Sequence, residues 1–116
     1  IIIGQDRQHD ITTLFISVID FGSVILLPRS FDVGYFLSQF ESQFYAYPKI
    51  LAYCRESDFI DTYIEETDNI YLGFLEDVKL FKLRANLSIA SYLIKVGKGQ
   101  SPEMDALVSR SLTPIP

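Results

Sequence analysis

The spacing of hydrophobic positions divides this chain into segments of different period. Between residues 30 and 46, Val33, Phe36, Leu37, Phe40 and Phe44 recur at intervals of three and four, which is one apolar face of a helix. Glu41, Ser42 and Gln43 fall mainly off that face, and Ser30 is placed to cap the first turn with its hydroxyl. Pro48 disfavours helical geometry at Tyr47, so this helix is predicted to end near residue 46. Residues 49 to 56 fit a short helix or an edge strand.

A second helix is predicted over residues 77 to 96. Val78, Phe81, Ala85, Ile89, Tyr92 and Val96 trace its stripe. Glu76 and Asp77 lie at its positive end, Lys95 and Lys98 at its negative end, and Gly97 supplies a left-handed stop. Ser101-Pro102 opens a last short helix, with Ser as cap and Pro at the first helical position, running to about Ser111.

Two segments read as strand. In "FIDTYIEETDNIYLGF", residues 59 to 74, Ile60, Thr62 and Ile64 alternate with Phe59, Asp61 and Tyr63, and Ile70, Leu72 and Phe74 share a face. The intervening Glu-Glu-Thr-Asp-Asn is turn-like, which predicts an antiparallel hairpin. In residues 11 to 27, Ile11, Leu14, Phe15, Val18 and Ile19 also match helical spacing. The density of Ile, Val, Thr and Phe, and the break at Asp20-Phe21-Gly22, favour a strand over 12 to 19 followed by a turn or short helix.

The resulting order is strand, helix, strand, strand, helix, short helix. It predicts an α+β, ferredoxin-like split βαβ sandwich: an antiparallel-type sheet with two main helices on one face. A fourth strand would have to come from "IIIG" or "SLTPIP". The competing expectation is an all-α bundle in which 11 to 27 and 58 to 75 are also helices.

Composition sharpens this picture. The 116 residues suit a single domain, 1–116, with 112–116 as a tail or linker. With 48% hydrophobic residues, nine Phe and seven Tyr, the chain can fill a core. Because it opens on "IIIG" and its only methionine is Met104, it reads as a trimmed or excised piece. The net charge of −5 and the lack of any Lys/Arg cluster argue against a nucleic-acid partner and toward cations or a basic protein. The stretch from Ile11 to Leu27 is too short and too interrupted for a membrane span. No basic segment precedes it as in a signal peptide. Cys54, the single cysteine, cannot form an internal disulfide and has no nearby His, so it reads as a buried, inert thiol in a cytoplasmic protein.

The candidate chemistry is sparse. Glu65, Glu66 and Asp68 put three carboxylates into four residues, a donor set that suits a hard cation such as Mg²⁺ or Mn²⁺. The commoner reading of such a run is a solvated turn. Asp6, His9 and Asp10 form a second acidic group, but His9 has no second His or Cys for zinc. There is no phosphate-binding glycine loop and no nucleophile elbow. Among the aromatics from Tyr35 to Tyr53, the phenylalanines read as core. Tyr35, Tyr45, Tyr47 and Tyr53 read as a half-buried rim or as interface anchors.

Two stretches together resemble the class III nucleotidyl cyclase homology domain. "HDITTLFISVIDF", His9 to Phe21, is similar to its first strand, and "FIDTYIEETDNIYLGF" to its central hairpin. The helices at 31–46 and 78–96 fall where that family places helices. The resemblance puts Ser17 where the first metal-binding Asp belongs, with Asp20 just after it, and Asp68 near the second. "ALVSR" keeps Arg110 of an Asn-x-x-x-Arg segment but has Ala106 in place of Asn, and the glycine-rich strand is absent.

Two-metal phosphoryl chemistry needs both carboxylates. The resemblance therefore implies a non-catalytic domain that acts by pairing, as a homodimer or with another protein, around a vestigial cation or nucleotide site at Ser17, Asp20, Asp68 and Arg110. The alternative, from charge and tyrosines alone, is a small acidic protein-binding module of immunity or inhibitor type.

Overall fold

The computed structural model describes the backbone of residues 2–5 and 14–17 and the whole of residues 26–112. Two short strands, β1 (Ile2–Gln5) and β2 (Leu14–Ser17), pair antiparallel with Ile2 opposite Ser17. Among the described residues five helices follow: α1 (Arg29–Gln43), α2 (Pro48–Tyr53), α3 (Glu56–Glu66), α4 (Phe74–Lys95) and α5 (Pro102–Ser111).

This is a helical protein, and the ferredoxin-like α+β sandwich is overturned. The predicted hairpin over 59–74 is the main error. Residues 56–66 form α3, residues 67–73 are a loop, and Phe74 already begins α4. In residues 59 to 64 the same letters satisfy two periods. Ile60, Thr62 and Ile64 alternate as in a strand, while Phe59, Ile60, Tyr63 and Ile64 recur at three and four as in a helix. The helical set wins because Ile60, Tyr63 and Ile64 pack together on the core of Val33, Leu37, Phe74 and Val78. Glu56 and Asp58 also favour the positive end of the helix. Burial on a common face outweighs the strand preference of two isoleucines and a threonine. The helical alternative therefore describes residues 56–66. For residues 11–27 it meets a strand at Leu14–Ser17, and the rest of that stretch up to residue 25 lies outside the described residues.

The centre of the fold is the contact of α1 with α4. Ser30, Gly34 and Ser38 recur every fourth residue along α1, and all three are buried. A Cβ on Gly34 would stand 2.7 Å from both the Lys82 amide nitrogen and the Val78 carbonyl oxygen. The missing side chain is thus what allows the two backbones to approach. Val33 and Leu37 flank this small stripe and meet Val78. The stripe expected on α1 is corrected accordingly. Phe36 is 40% exposed and lies off the core, and α1 begins at Arg29 after Pro28. Ser30 is no cap: its hydroxyl is fully buried and lies 2.5 Å from Tyr71 Oη.

The C-terminal end of α4 and the ends of α5 follow the sequence closely. Gly97 has φ +80°, and Lys98 N–H donates to Leu93 O at 2.7 Å while Gly97 N–H donates to Ile94 O at 3.1 Å. This doubly hydrogen-bonded stop satisfies two carbonyls that the helix end leaves free. Ser101 Oγ accepts from Met104 N–H at 3.2 Å, with Pro102 at the first helical position of α5. Along α4 the expected stripe shifts: Phe74, Val78, Ala85, Asn86 and Leu93 are buried, while Tyr92 and Val96 are exposed.

Candidate protein-binding groove

A cleft of about 860 Å³ opens between α1, α2 and α3. Its walls are apolar and aromatic: Phe36 and Phe40 from α1, Leu51 and Tyr53 from α2, and Phe59 from α3. Each wall follows from the local sequence. On α1 the phenylalanines at 36, 40 and 44 are four apart, beside rather than on the small stripe that meets α4. Pro48 starts α2 directly after the turn that ends α1.

The rings form a continuous file. Phe44, Phe40 and Phe36 touch in turn with centroids 4.9 and 6.1 Å apart. Phe36 stacks on Phe59 at 4.8 Å, Phe59 lies 6.3 Å from Tyr63, and Tyr63 stacks on Phe74 at 5.7 Å. Offset and tilted contacts of this kind are favourable for aromatic quadrupoles. They hold α3 against α1 and leave one edge of the file facing the cleft.

The floor of the cleft is ionic. Lys82 of α4 reaches in between two carboxylates, 2.5 Å from Glu41 Oε1 and 2.8 Å from Glu56 Oε2. Burial pulls the Lys82 ammonium down, but hydrogen bonds to Glu41 and Glu56 outweigh it and leave the pKa above the ordinary lysine value. Arg110 of α5 completes the cluster. Its Nη2–H donates to Ser42 Oγ at 2.7 Å, and its Nε stands 2.8 Å from Glu41 Oε2. That last pair is electrostatic rather than hydrogen-bonded, because both atoms are shut off from water without the alignment a hydrogen bond needs. Burial lowers the Arg110 guanidinium, with Glu41 opposing. These four side chains draw α1, α3, α4 and α5 together beneath the cleft and neutralise one another.

Behind the floor runs a buried polar chain. Ser38 Oγ–H donates to Asn86 Oδ1, Asn86 Nδ2–H to Ser111 Oγ at 3.1 Å, and Ser111 Oγ–H to Leu107 O at 2.7 Å. Sequence reasoning missed Asn86, which lies inside the predicted helix of residues 77 to 96 but off its predicted stripe. Its one signal was a polar residue inside an otherwise apolar face.

The residues singled out in the sequence do not assemble as expected. Glu65 and Glu66 end α3 and are exposed; Asp68 lies in the following loop, where its carbonyl accepts from Arg29 Nη1 at 2.9 Å. Among the described residues no three His, Cys, Asp or Glu side chains come together in a way that could hold an ion. Ser17 pairs with Ile2 through the strand backbone, and Asp20, Asp6, His9 and Asp10 lie outside the described residues. Arg110 is engaged by Glu41 and Ser42.

The tyrosines divide between two faces. Tyr53, 87% exposed, lines the cleft. Tyr47 is exposed at the start of α2, Tyr45 is half-buried, and Tyr35 lines a separate shallow cleft beside Ile89 and Tyr92. Cys54 is corrected too: it is exposed and lines the groove.

No protein-family model, curated protein or solved structure matches this chain. The cyclase resemblance thus rests on its short motifs, and helix α3 now stands where it required a hairpin. No helix among the described residues is long and apolar enough to cross a membrane.

Proposed function

We propose that this chain is a small acidic protein-binding module that receives an apolar segment of a basic partner in the groove between α1, α2 and α3. The observation that carries this reading is the exposure of Phe36, Phe59 and Tyr53 around one cleft, at 40, 38 and 87%. Aromatic anchors gathered at a concave patch over a charge-balanced floor are typical of binding hot spots. The wall formed by α3 adds charge: Asp58, Asp61, Glu65 and Glu66 are exposed along a helix of 11 residues. With the net charge of −5, that edge favours a partner whose apolar anchors are flanked by Lys or Arg, and faster association at low salt. This is the arrangement expected of an immunity- or inhibitor-type protein. A reducing, cytoplasmic setting suits the exposed thiol of Cys54, the only cysteine.

The test is selection of displayed random peptides on the chain and on its Phe59→Glu variant. The reading expects enriched peptides that combine aromatic or leucine anchors with basic residues, and their loss on the variant. Equal enrichment on both proteins would contradict it.

A further inference from the structure

Helix α4 carries a second apolar stripe, distinct from the face that meets α1. Leu80, Leu87 and Ile94 stand seven residues apart and are 62, 71 and 62% exposed. Leu83 and Ala90 fall between them and are half-buried. The five make an unbroken 3-4-3-4 spacing, the seam of a coiled-coil helix. At 3.6 residues per turn this seam lies roughly 150° around the helix from Val78, Ala85 and Leu93. Single exposed leucines are ordinary on a protein surface, but three large aliphatic side chains in register along one helix form a patch.

We propose that this seam pairs with the same seam of a second copy of the chain, the two α4 helices running antiparallel. Charge decides the direction. Helix α4 is acidic at its start, with Glu76 and Asp77, and basic at its end, with Lys95 and, just beyond, Lys98. An antiparallel crossing sets the acidic start of each helix beside the basic end of the other and opposes their dipoles. A parallel crossing would set acid on acid and base on base. Local pairs engage some of these groups without using up the asymmetry. Glu76 lies 3.9 Å from Lys79, Lys98 lies 3.6 Å from Glu103, and Asp77 accepts from Tyr71 Oη. Ala90, small and near the middle of the seam, lets the helices approach there. The seam spans only two heptads, so the dimer forms in a concentration-dependent way.

Sedimentation equilibrium of the 116-residue chain tests this in a Cys54→Ser background, which removes disulfide dimers through the exposed thiol. The expected result is a monomer–dimer equilibrium that Leu87→Glu abolishes while helical circular dichroism is kept. For direction, Cys54→Ser chains carrying Glu76→Cys are mixed with Cys54→Ser chains carrying Lys98→Cys and oxidised. The antiparallel pair gives the mixed cross-link in preference to either self-cross-link. A chain that stays monomeric at every concentration overturns the proposal. In that case unfolding by Leu87→Glu would show instead that the stripe is covered from within the chain. A dimer that survives Leu87→Glu, or a predominant Glu76→Cys self-cross-link, overturns it as well.

Discussion

Gly34 of α1 lies directly against the backbone of Lys82 in α4, where a Cβ would come within 2.7 Å of the amide nitrogen. The side chain of that same Lys82 reaches Glu41, seven residues farther along α1, and Glu56 of α3 beneath the cleft. The closest helix contact and the ionic floor of the groove therefore meet in one residue. Spacing between α1 and α4 sets where the ammonium sits, and the ammonium in turn ties α3 to α1.

Gly34→Ala tests the close approach. Helix propensity alone would make this change favourable by about 1 kcal/mol. The clash is with backbone atoms, which cannot move aside as a flexible side chain would. The expected result is destabilisation of about 1–3 kcal/mol, measured by urea unfolding, in line with the cost of overpacked cores. A stabilised variant would show that α1 and α4 sit farther apart.

Ser38→Ala tests the buried polar chain. It removes the donor to Asn86 Oδ1 in a residue only 4% exposed, and the expected loss is about 1–3 kcal/mol. Ser38→Ala combined with Asn86→Leu removes the stranded group, so the double variant should lose less than the sum of the two single changes. Strict additivity in this cycle would mean that the two side chains do not interact.

Lys82→Met tests the floor. It leaves Glu41 and Glu56 facing each other without their shared cation, with an expected loss of about 2 kcal/mol at neutral pH. The pH dependence has a definite sign. The folded-state pKa of Lys82 is raised above the ordinary 10.5, so its contribution is fully present below that value. It is lost as the pH rises through the raised value. Wild-type stability should therefore fall in alkali more steeply than that of Lys82→Met. Parallel curves for the two proteins would remove the ion pairs from the account.

What could be read from the sequence depended on whether a signal was local. Gly97 as the left-handed stop of α4, and Ser101-Pro102 as the start of α5, were legible because each is fixed by a few neighbouring residues. Residues 59 to 64 were not legible as helix, because their two periods coincide and only packing on Val33, Leu37, Phe74 and Val78 separates them. The groove was half legible. Its phenylalanines were visible as a run, but they read as core, since nothing local shows that Ser30, Gly34 and Ser38 occupy the buried face instead. The acidic run at Glu65, Glu66 and Asp68 gained its meaning from the presumed hairpin, and lost it when residues 56–66 formed a helix.

The helix stop offers a local test of this lesson. Gly97→Ala forces a side chain into φ +80°, and the expected cost is about 1–2 kcal/mol with no change in the groove. Thermal unfolding measures the cost. An unchanged midpoint would mean that α4 does not end on this left-handed turn.

The most direct measurement of the central claim is a titration of the isotopically labelled chain, followed by amide NMR, with a selected peptide bearing apolar anchors and basic flanks. The account predicts saturable shifts clustered on Phe36, Phe40, Leu51, Tyr53 and Phe59, weakened by added salt and abolished by Phe59→Glu. Shifts clustered instead along Leu80, Leu87 and Ile94, or no saturable shift in the groove, would contradict it.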